Sequence, residues 1–242
     1  SVKGDVYLAK ITRVEPSLQA AFIDFGANRN GFLPLTEIHP DYFKIPSADQ
    51  KEVEKIYQKL INQTEEIENN EDNDIIKEED EDTKDSTDEE NIINQESKTK
   101  NFKRKPLNPK KEYINFFRKY KIQDVIKPRQ VILVQVNKEE RGLKGAALTT
   151  FLSFAGRYCV LMPNSLNNDG ISRKIGDIEE RKKLKQIISS VNIPEKMSVI
   201  VRTAGIGRTK KEISKDLSFL LSQWNKIREI TLKSEAPKMI HE

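Results

Sequence analysis

The chain has 242 residues, a length that allows one or two domains, and its 42 Lys and Arg residues slightly outnumber its 38 Asp and Glu residues. One cysteine and two histidines exclude an intramolecular disulfide framework and argue against a Cys/His zinc site. No apolar run approaches the roughly 18–20 residues of a membrane span, and no secretory signal is recognisable at the N-terminus. We therefore expect a cytoplasmic protein without a membrane span.

The charges are segregated along the chain. Residues 51–100 contain 18 acidic and 7 basic residues, whereas the remaining residues together have a net charge of +15. A basic body that carries an acidic insertion makes polyanions the leading class of partner.

Residues 1–38 contain short runs typical of β-strands. Apolar and polar residues alternate loosely over 6–11, a second apolar run follows at 19–25, and turn-forming residues stand after each run. Several short strands at this spacing predict a small barrel rather than a βαβ unit.

The composition changes over an insertion at about 44–128. Residues 51–100 contain no Gly or Pro and one aromatic residue, so we predict a short helix over 51–61 and disorder over roughly 62–100. Residues 101–130 have a net charge of +8, with five aromatic residues among the basic ones. This pattern is typical of a single-stranded nucleic-acid site. An amphipathic helix whose aromatic residues dock on the barrel is the slightly favoured alternative.

The remaining chain alternates strand and helix patterns. Strands are predicted at 130–136, 146–154 and 197–203. A helix over 177–190 and a long helix over 209–234 each begin with an Asp or Thr N-cap that is followed three residues later by Glu. These elements predict a second, α+β unit that begins near residue 151.

Three long blocks of this sequence form a specific signal together. The first is GDVYLAKITRVEPSLQAAFIDFG, continuing to GFLPL. The second is VQVNKEERGLKGAALTTF, and the third contains AGRY, LMPN, GISR and VRTAG. In content and order these blocks resemble the bacterial ribonuclease E/G family, and the first is similar to the S-one-type RNA-binding domain of that family.

The resemblance implies a mixed α/β protein of two domains. Residues 1–150 are expected to form an OB-fold β-barrel that binds RNA and is interrupted by the largely disordered, acidic and then basic insertion at 44–128. Residues 151–242 are expected to form a small α+β 5′-sensor domain that ends in a long helix. An OB-fold suits single-stranded RNA, because one barrel face presents aromatic side chains to the bases.

The resemblance also implies which barrel residues contact RNA. Phe22 and Phe32 occupy positions that stack on bases, and Lys144 and Lys138 occupy positions that contact phosphates. From the residues alone, each Phe lies in an apolar run and is as consistent with a core position as with RNA contact.

A pocket for a 5′-monophosphate is implied in the second domain, and its expected residues are Gly156, Val160, Arg173, Arg202 and Thr203. A guanidinium binds phosphate oxygens through two parallel hydrogen bonds, and a Thr hydroxyl adds a donor. Before the motif is considered, a surface ion pair is the favoured explanation of Arg202, and the motif reverses this preference.

The family hydrolyses RNA with a pair of Asp residues that hold Mg²⁺ in a subdomain downstream of the sensor, and we expect that subdomain to be missing here. We predict no catalytic residue, metal site or cofactor in this chain, and Mg²⁺ only for the missing subdomain. The resemblance thus implies the RNA-binding and 5′-monophosphate-sensing portion of an endoribonuclease that acts in processing and decay of messenger and ribosomal RNA. Its expected partners are single-stranded RNA with a 5′-monophosphate and a separate catalytic chain. The alternative is a free-standing, non-catalytic RNA-binding protein or a degraded gene product.

Overall fold

The computed structural model describes residues 1–59, 109–165, 170–194 and 196–242. The chain forms two compact units, of which one comprises Ser1–Pro46 with Lys119–Glu242 and the other Ser47–Arg118. The disorder predicted over 62–100 falls outside the described residues.

The first unit contains every described strand. The strands are β1 (Val6–Glu15), β2 (Ala20–Asp24), β3 (Gly31–Pro34), β4 (Val131–Lys138), β5 (Ala147–Thr149), β6 (Phe154–Ala155), β7 (Cys159–Met162), β8 (Ser198–Val201) and β9 (Lys238–His241). The α-helices are α1 (described over 47–59), α2 (Pro109–Arg118), α3 (Ile122–Val125), α4 (Ile178–Ser189) and α5 (Lys210–Leu232).

The first five strands form a closed barrel in the order β1-β2-β3-β5-β4, and β1 closes it by pairing with both β2 and β4. All of these pairs are antiparallel except β3 with β5. Alternate residues point inward, and Tyr7, Ile11, Phe25, Leu33 and Val134 belong to the buried interior cluster. The predicted OB-fold barrel within a mixed α/β chain is confirmed.

Strand β1 is buried on both of its faces over its first half. Tyr7 and Ala9 face the barrel interior, whereas Val6 and Leu8 belong to a second buried cluster outside the barrel. Strand β9 pairs with β1 beside these residues and contributes Ile240 to the second cluster. The end of the described chain is therefore bound to the barrel.

A second sheet, β6-β7-β8, is antiparallel and lies against α5, whose buried residues Ile213, Leu217 and Leu220 share a cluster with Leu161 and Val201. Residues 150–153 separate β5 from β6, so the strand predicted over 146–154 is two strands. Long-range hydrogen bonds explain this break, because Thr150 bonds to residues before the insertion and Ser153 bonds to the Gln135 side chain.

The predicted helix starts are confirmed by their capping bonds. The Asp177 carboxylate accepts hydrogen bonds from the backbone N–H groups of Glu179 and Glu180, and the Thr209 hydroxyl accepts one from Glu212. The strands predicted over 130–136 and 197–203 correspond to β4 and β8.

In the second unit, the described residues form α1 and α2. Ile56, Tyr113 and Phe116 are buried, the rings of Tyr57 and Tyr113 lie 6.4 Å apart, and Lys59 forms an ion pair with Glu112 at 3.7 Å. The predicted helix before the acidic segment is confirmed, and a helix lies within 101–130 as the amphipathic alternative predicted. The docking of its aromatic residues on the barrel stays a prediction. RNA binding by this basic segment stays a prediction.

Among the helices that the structure describes, none combines the length and the apolar character needed to cross a bilayer.

Candidate nucleic-acid interface

One residue from each strand of the barrel lies in a single row across its outer face. Strand register pairs Arg13 with Phe22, Phe22 with Phe32, Phe32 with Ala147, and Ala147 with Lys138. Residues that stand directly opposite each other in a sheet project from the same face, and none of these five is buried. We call this set the barrel row.

The cations at the two ends of the barrel row are placed there by irregularities in strand register. Ile11 and Val136 are buried and face inward, and in each strand one extra residue separates them from Arg13 and Lys138. Such β-bulges redirect the following side chain. Without the extra residue, Arg13 and Lys138 would not stand opposite the other members of the row.

The two aromatic rings of the barrel row form a half-buried platform. The ring centroids of Phe22 and Phe32 lie 6.0 Å apart at an interplanar angle of 66°, and the Arg13 guanidinium carbon lies 4.6 Å from the Phe22 centroid. Aromatic rings flanked by cations suit single-stranded nucleic acid, because every base has a π-face and every nucleotide a phosphate. Sequence reasoning did not single out Arg13.

Lys144 lies in the exposed β4–β5 loop, which adds further cations near the barrel. The backbone of Lys144 pairs with that of Arg141 through hydrogen bonds of 2.9 and 3.2 Å. The Arg29 guanidinium donates to the carbonyl of Gly142 in the same loop. Arg29, from the β2–β3 connection, is thus bound to the loop that carries Arg141 and Lys144.

The second predicted site is built around the turn between β6 and β7. The Gly156 N–H donates to the carbonyl of Cys159 at 2.8 Å. Arg202 is held against this turn at two points, because its Nη1 donates to the Gly156 carbonyl at 2.9 Å and its backbone N–H donates to the Tyr158 carbonyl at 2.7 Å. Its side chain is nevertheless exposed, so the rest of the guanidinium can reach a ligand.

Val160 and Thr203 lie close to Arg202 and the turn between β6 and β7. Val160 pairs with Ile200 across β7 and β8, on the sheet face opposite the buried Val201. The backbone of Arg202 is extended (φ −80°, ψ 164°), so its side chain leaves on the Val160 face. Thr203 follows with an exposed side chain at the start of a short 3₁₀-helix. The structure thus brings Gly156, Val160, Arg202 and Thr203 together.

Arg173 lies on the other side of β8. Ile171 forms a bridge with Val201, the Ser172 N–H donates to the carbonyl of Val201 at 2.9 Å, and Arg181 binds the Ser172 carbonyl. The Arg173 side chain is exposed. Its backbone therefore runs along the β8 edge that does not face β7. The structure therefore does not place Arg173 with the other four predicted residues. We refer to the five residues of the predicted 5′-monophosphate site, Gly156, Val160, Arg173, Arg202 and Thr203, as the 5′-end pocket.

A buried carboxylate supports the turn of the 5′-end pocket. Asp216 on α5 is 8% exposed and accepts hydrogen bonds of 2.9 Å from each of the backbone N–H groups of Arg157, Tyr158 and Cys159. A Cβ on Gly156 would lie 2.5 Å from one of its oxygens. Sequence reasoning did not identify Asp216.

The thiol of Cys159 is part of the core. Burial, and then the nearby Asp216 carboxylate, raise the pKa of this thiol to about 12. The thiol is therefore protonated at neutral pH and is not a nucleophile. Within the described ranges, no three His, Cys, Asp or Glu side chains are grouped so that they could hold a metal ion.

Comparison with known families identifies the two parts of the chain in which the candidate sites lie. Residues 2–151 match the S1 RNA binding domain, and residues 153–242 match the Ribonuclease E/G family. The chain thus comprises an S1 RNA-binding domain followed by a region of the ribonuclease E/G family. The barrel row lies within its S1 RNA-binding domain, and the residues of the 5′-end pocket lie within the part that matches the ribonuclease E/G model.

Individual relatives agree with this assignment. The chain is 36% identical to ribonuclease E of Escherichia coli and 37% identical to ribonuclease E of Haemophilus influenzae, each over 99% of this chain. It is 24% identical to ribonuclease G of Escherichia coli over 94% of this chain. The aligned region spans 16% and 18% of the two ribonuclease E chains and 33% of ribonuclease G, so the chain corresponds to a minor part of each.

Proposed function

We propose that this chain is the RNA-binding and 5′-end-sensing portion of an endoribonuclease of RNA processing and decay. In this proposal, the barrel row binds single-stranded RNA by base stacking and phosphate contact. The 5′-end pocket binds the terminal monophosphate of the same class of RNA.

The observation that carries the proposal is the way Arg202 is held. One terminal nitrogen of its guanidinium is fixed to the Gly156 carbonyl, while the Arg202 side chain and that of the next residue, Thr203, are both exposed. A guanidinium that is already oriented loses little entropy when it binds a phosphate, and it can offer two parallel donors. Val160 supplies an apolar surface for the terminal nucleotide.

RNA hydrolysis is proposed to depend on residues outside these 242. The relatives are named ribonucleases, and this chain matches a third or less of the three relatives compared above. We propose that Mg²⁺ and the carboxylates that hold it belong to a catalytic subdomain, on the same or a separate polypeptide, to which this chain delivers RNA.

The experiment compares two short single-stranded RNAs that differ only in a 5′-monophosphate or a 5′-hydroxyl. Titrating each RNA with the unmodified chain, and following fluorescence anisotropy, gives the ratio of their affinities. Arg202→Ala is expected to abolish a preference of roughly ten- to hundredfold for the monophosphate, because hydrogen bonds to charged groups contribute about 1.5–3 kcal/mol each. Arg202→Lys is expected to recover part of the preference, since an ammonium lacks the planar fork.

The matched control is Arg228→Ala, which removes another exposed guanidinium, from α5, at a position that contacts Asn225 instead of the 5′-end pocket. This variant should keep the full preference. Equal affinity of the unmodified chain for both RNAs would refute 5′-end sensing, while binding to RNA by the S1 domain would be unaffected.

A further inference from the structure

Asp216 is surrounded by backbone donors rather than by cations. Oδ1 accepts from the N–H of Arg157, and Oδ2 accepts from those of Tyr158 and Cys159, all at 2.9 Å. Among the residues that the structure describes, no Lys, Arg or His forms an ion pair with this carboxylate. Three successive N–H groups turned toward one point form an anion-binding concavity, and here a side chain of the same protein fills it.

The opposite ends of these peptide groups hold Arg202. In a planar trans peptide the N–H and the carbonyl point in opposite directions. The peptide whose N–H belongs to Arg157 has the Gly156 carbonyl, which accepts the Arg202 Nη1 at 2.9 Å. The peptide whose N–H belongs to Cys159 has the Tyr158 carbonyl, which accepts the Arg202 backbone N–H at 2.7 Å. Both anchors of Arg202 are thus the far ends of peptides that Asp216 orients.

The close approach of Asp216 also explains the glycine in the turn. A Cβ on Gly156 would stand 2.5 and 2.6 Å from the two carboxylate oxygens, distances that real Cβ atoms do not show. The carboxylate can therefore reach the three N–H groups only because residue 156 has no side chain.

We propose that Asp216 is a positioning residue, which orients the Gly156 and Tyr158 carbonyls so that the Arg202 guanidinium is directed at the 5′-phosphate. This inference rests on the proposed function. The effect is indirect, because the buried carboxylate faces the inner side of the turn and Arg202 lies on its outer side. An Asn at this position would keep one acceptor oxygen and direct its NH₂ group at an N–H donor.

The test is Asp216→Asn in the full chain, with 5′-monophosphate and 5′-hydroxyl RNAs as probes. The affinity ratio between the two RNAs is expected to fall about tenfold or more, as for the loss of one charge-assisted hydrogen bond. Affinity for the 5′-hydroxyl RNA should not change, because the barrel row is untouched. The control is Asp177→Asn, since Asp177 also accepts two backbone N–H groups but lies at the start of α4.

A double-mutant cycle separates positioning from a general loss of stability. If Asp216 acts through Arg202, then Asp216→Asn combined with Arg202→Ala has the same affinity ratio as Arg202→Ala alone. Full additivity of the two losses would overturn the inference, as would an unchanged ratio in Asp216→Asn. A wild-type chain without any preference would instead refute the proposed function.

Hydrogen exchange on the unmodified chain keeps the inference testable if Asp216→Asn does not fold. The amides of Arg157, Tyr158, Cys159 and Arg202 are expected to be as strongly protected in the free protein as that of Ile200, which pairs with Val160 across β7 and β8, and to stay so when RNA binds. Rapid exchange at Arg157 and Arg202 in the free protein would show that the turn is not oriented in advance, which overturns the inference.

Discussion

Replacing the two rings of the barrel row tests whether this face binds RNA. We expect Phe22→Ala and Phe32→Ala each to weaken binding by about 1–3 kcal/mol, the contribution of one base stacked on one aromatic side chain. This corresponds to a roughly five- to hundredfold loss of affinity. Because the rings contact each other at a centroid distance of 6.0 Å, the double variant should lose less than the sum of the two.

The same contacts predict the effect on stability. The Phe22→Ala substitution removes the ring contact with Phe32, which contributes about 0.5–1.5 kcal/mol to stability. It also removes the contact with the Arg13 guanidinium, which contributes about 0.5–1 kcal/mol. Both rings are half-buried rather than part of the interior cluster, so the barrel should remain folded. Thermal unfolding followed by circular dichroism measures this cost separately from binding.

The salt dependence of binding distinguishes stacking from phosphate contact. Fluorescence anisotropy titrations over a series of salt concentrations give the slope of log affinity against log salt, which changes by about 0.7 for each phosphate neutralised on a single strand. Phe22→Ala should lower the affinity at every salt concentration and leave the slope unchanged. Lys138→Ala and Lys144→Ala should each reduce the slope.

An unchanged affinity in a folded Phe22→Ala, Phe32→Ala double variant would refute the assignment of the barrel row as the RNA-binding face. A change of slope in either Phe variant would show that the ring acts by arranging cations instead of stacking on bases.

Three further outcomes follow from single contacts. Arg13→Ala should weaken RNA binding, and Arg13→Lys should restore the salt slope but not the full affinity. If Arg13→Lys binds RNA as tightly as the unmodified chain, the guanidinium plane has no role. Gly145→Ala should lower the stability measured by thermal unfolding by about 1–3 kcal/mol, because its Cβ would stand 2.1 Å from the carbonyl oxygen of Asn30. Gly176→Ala is the control, because a Cβ there meets no atom within 4 Å. Cys159 should resist alkylation in the folded chain at neutral pH, and modification there would contradict the burial of this thiol. The stability that its raised pKa provides should be complete below pH 9.0 and should be lost as the pH rises to about 12.

Sequence patterns correctly predicted the helices that begin with a capping residue next to them in the chain. The N-caps Asp177 and Thr209 precede α4 and α5 directly, as predicted from the sequence. The strand predicted over 146–154 is interrupted because Thr150 exchanges hydrogen bonds with residues 37–39, more than a hundred positions away. No local pattern contains such a contact.

In the candidate sites too, features that depend on distant parts of the chain were not predicted from the sequence. The family resemblance named Phe22 and Arg202, but Arg13 enters the barrel row through a β-bulge, which depends on the register of a partner strand. Asp216 did leave a signal in the sequence. It stands three residues after Ile213 and four before Leu220, so an acidic residue occupies the apolar stripe of α5. A carboxylate on such a stripe needs buried donors, and this could have directed attention to it.

Strand β1 contributes to the cores of both regions that match separate family models. Its Tyr7 face closes the barrel interior, and its Val6 face completes the cluster beneath the second sheet, where β9 also pairs with it. Neither region can lose its structure without exposing apolar surface of the other, so we expect them to unfold in one cooperative transition. A ligand that binds only the folded form of one region then stabilises both, since the free energy of binding is added to a shared unfolding equilibrium. An RNA held at its 5′ end would thereby also make the barrel more resistant to unfolding.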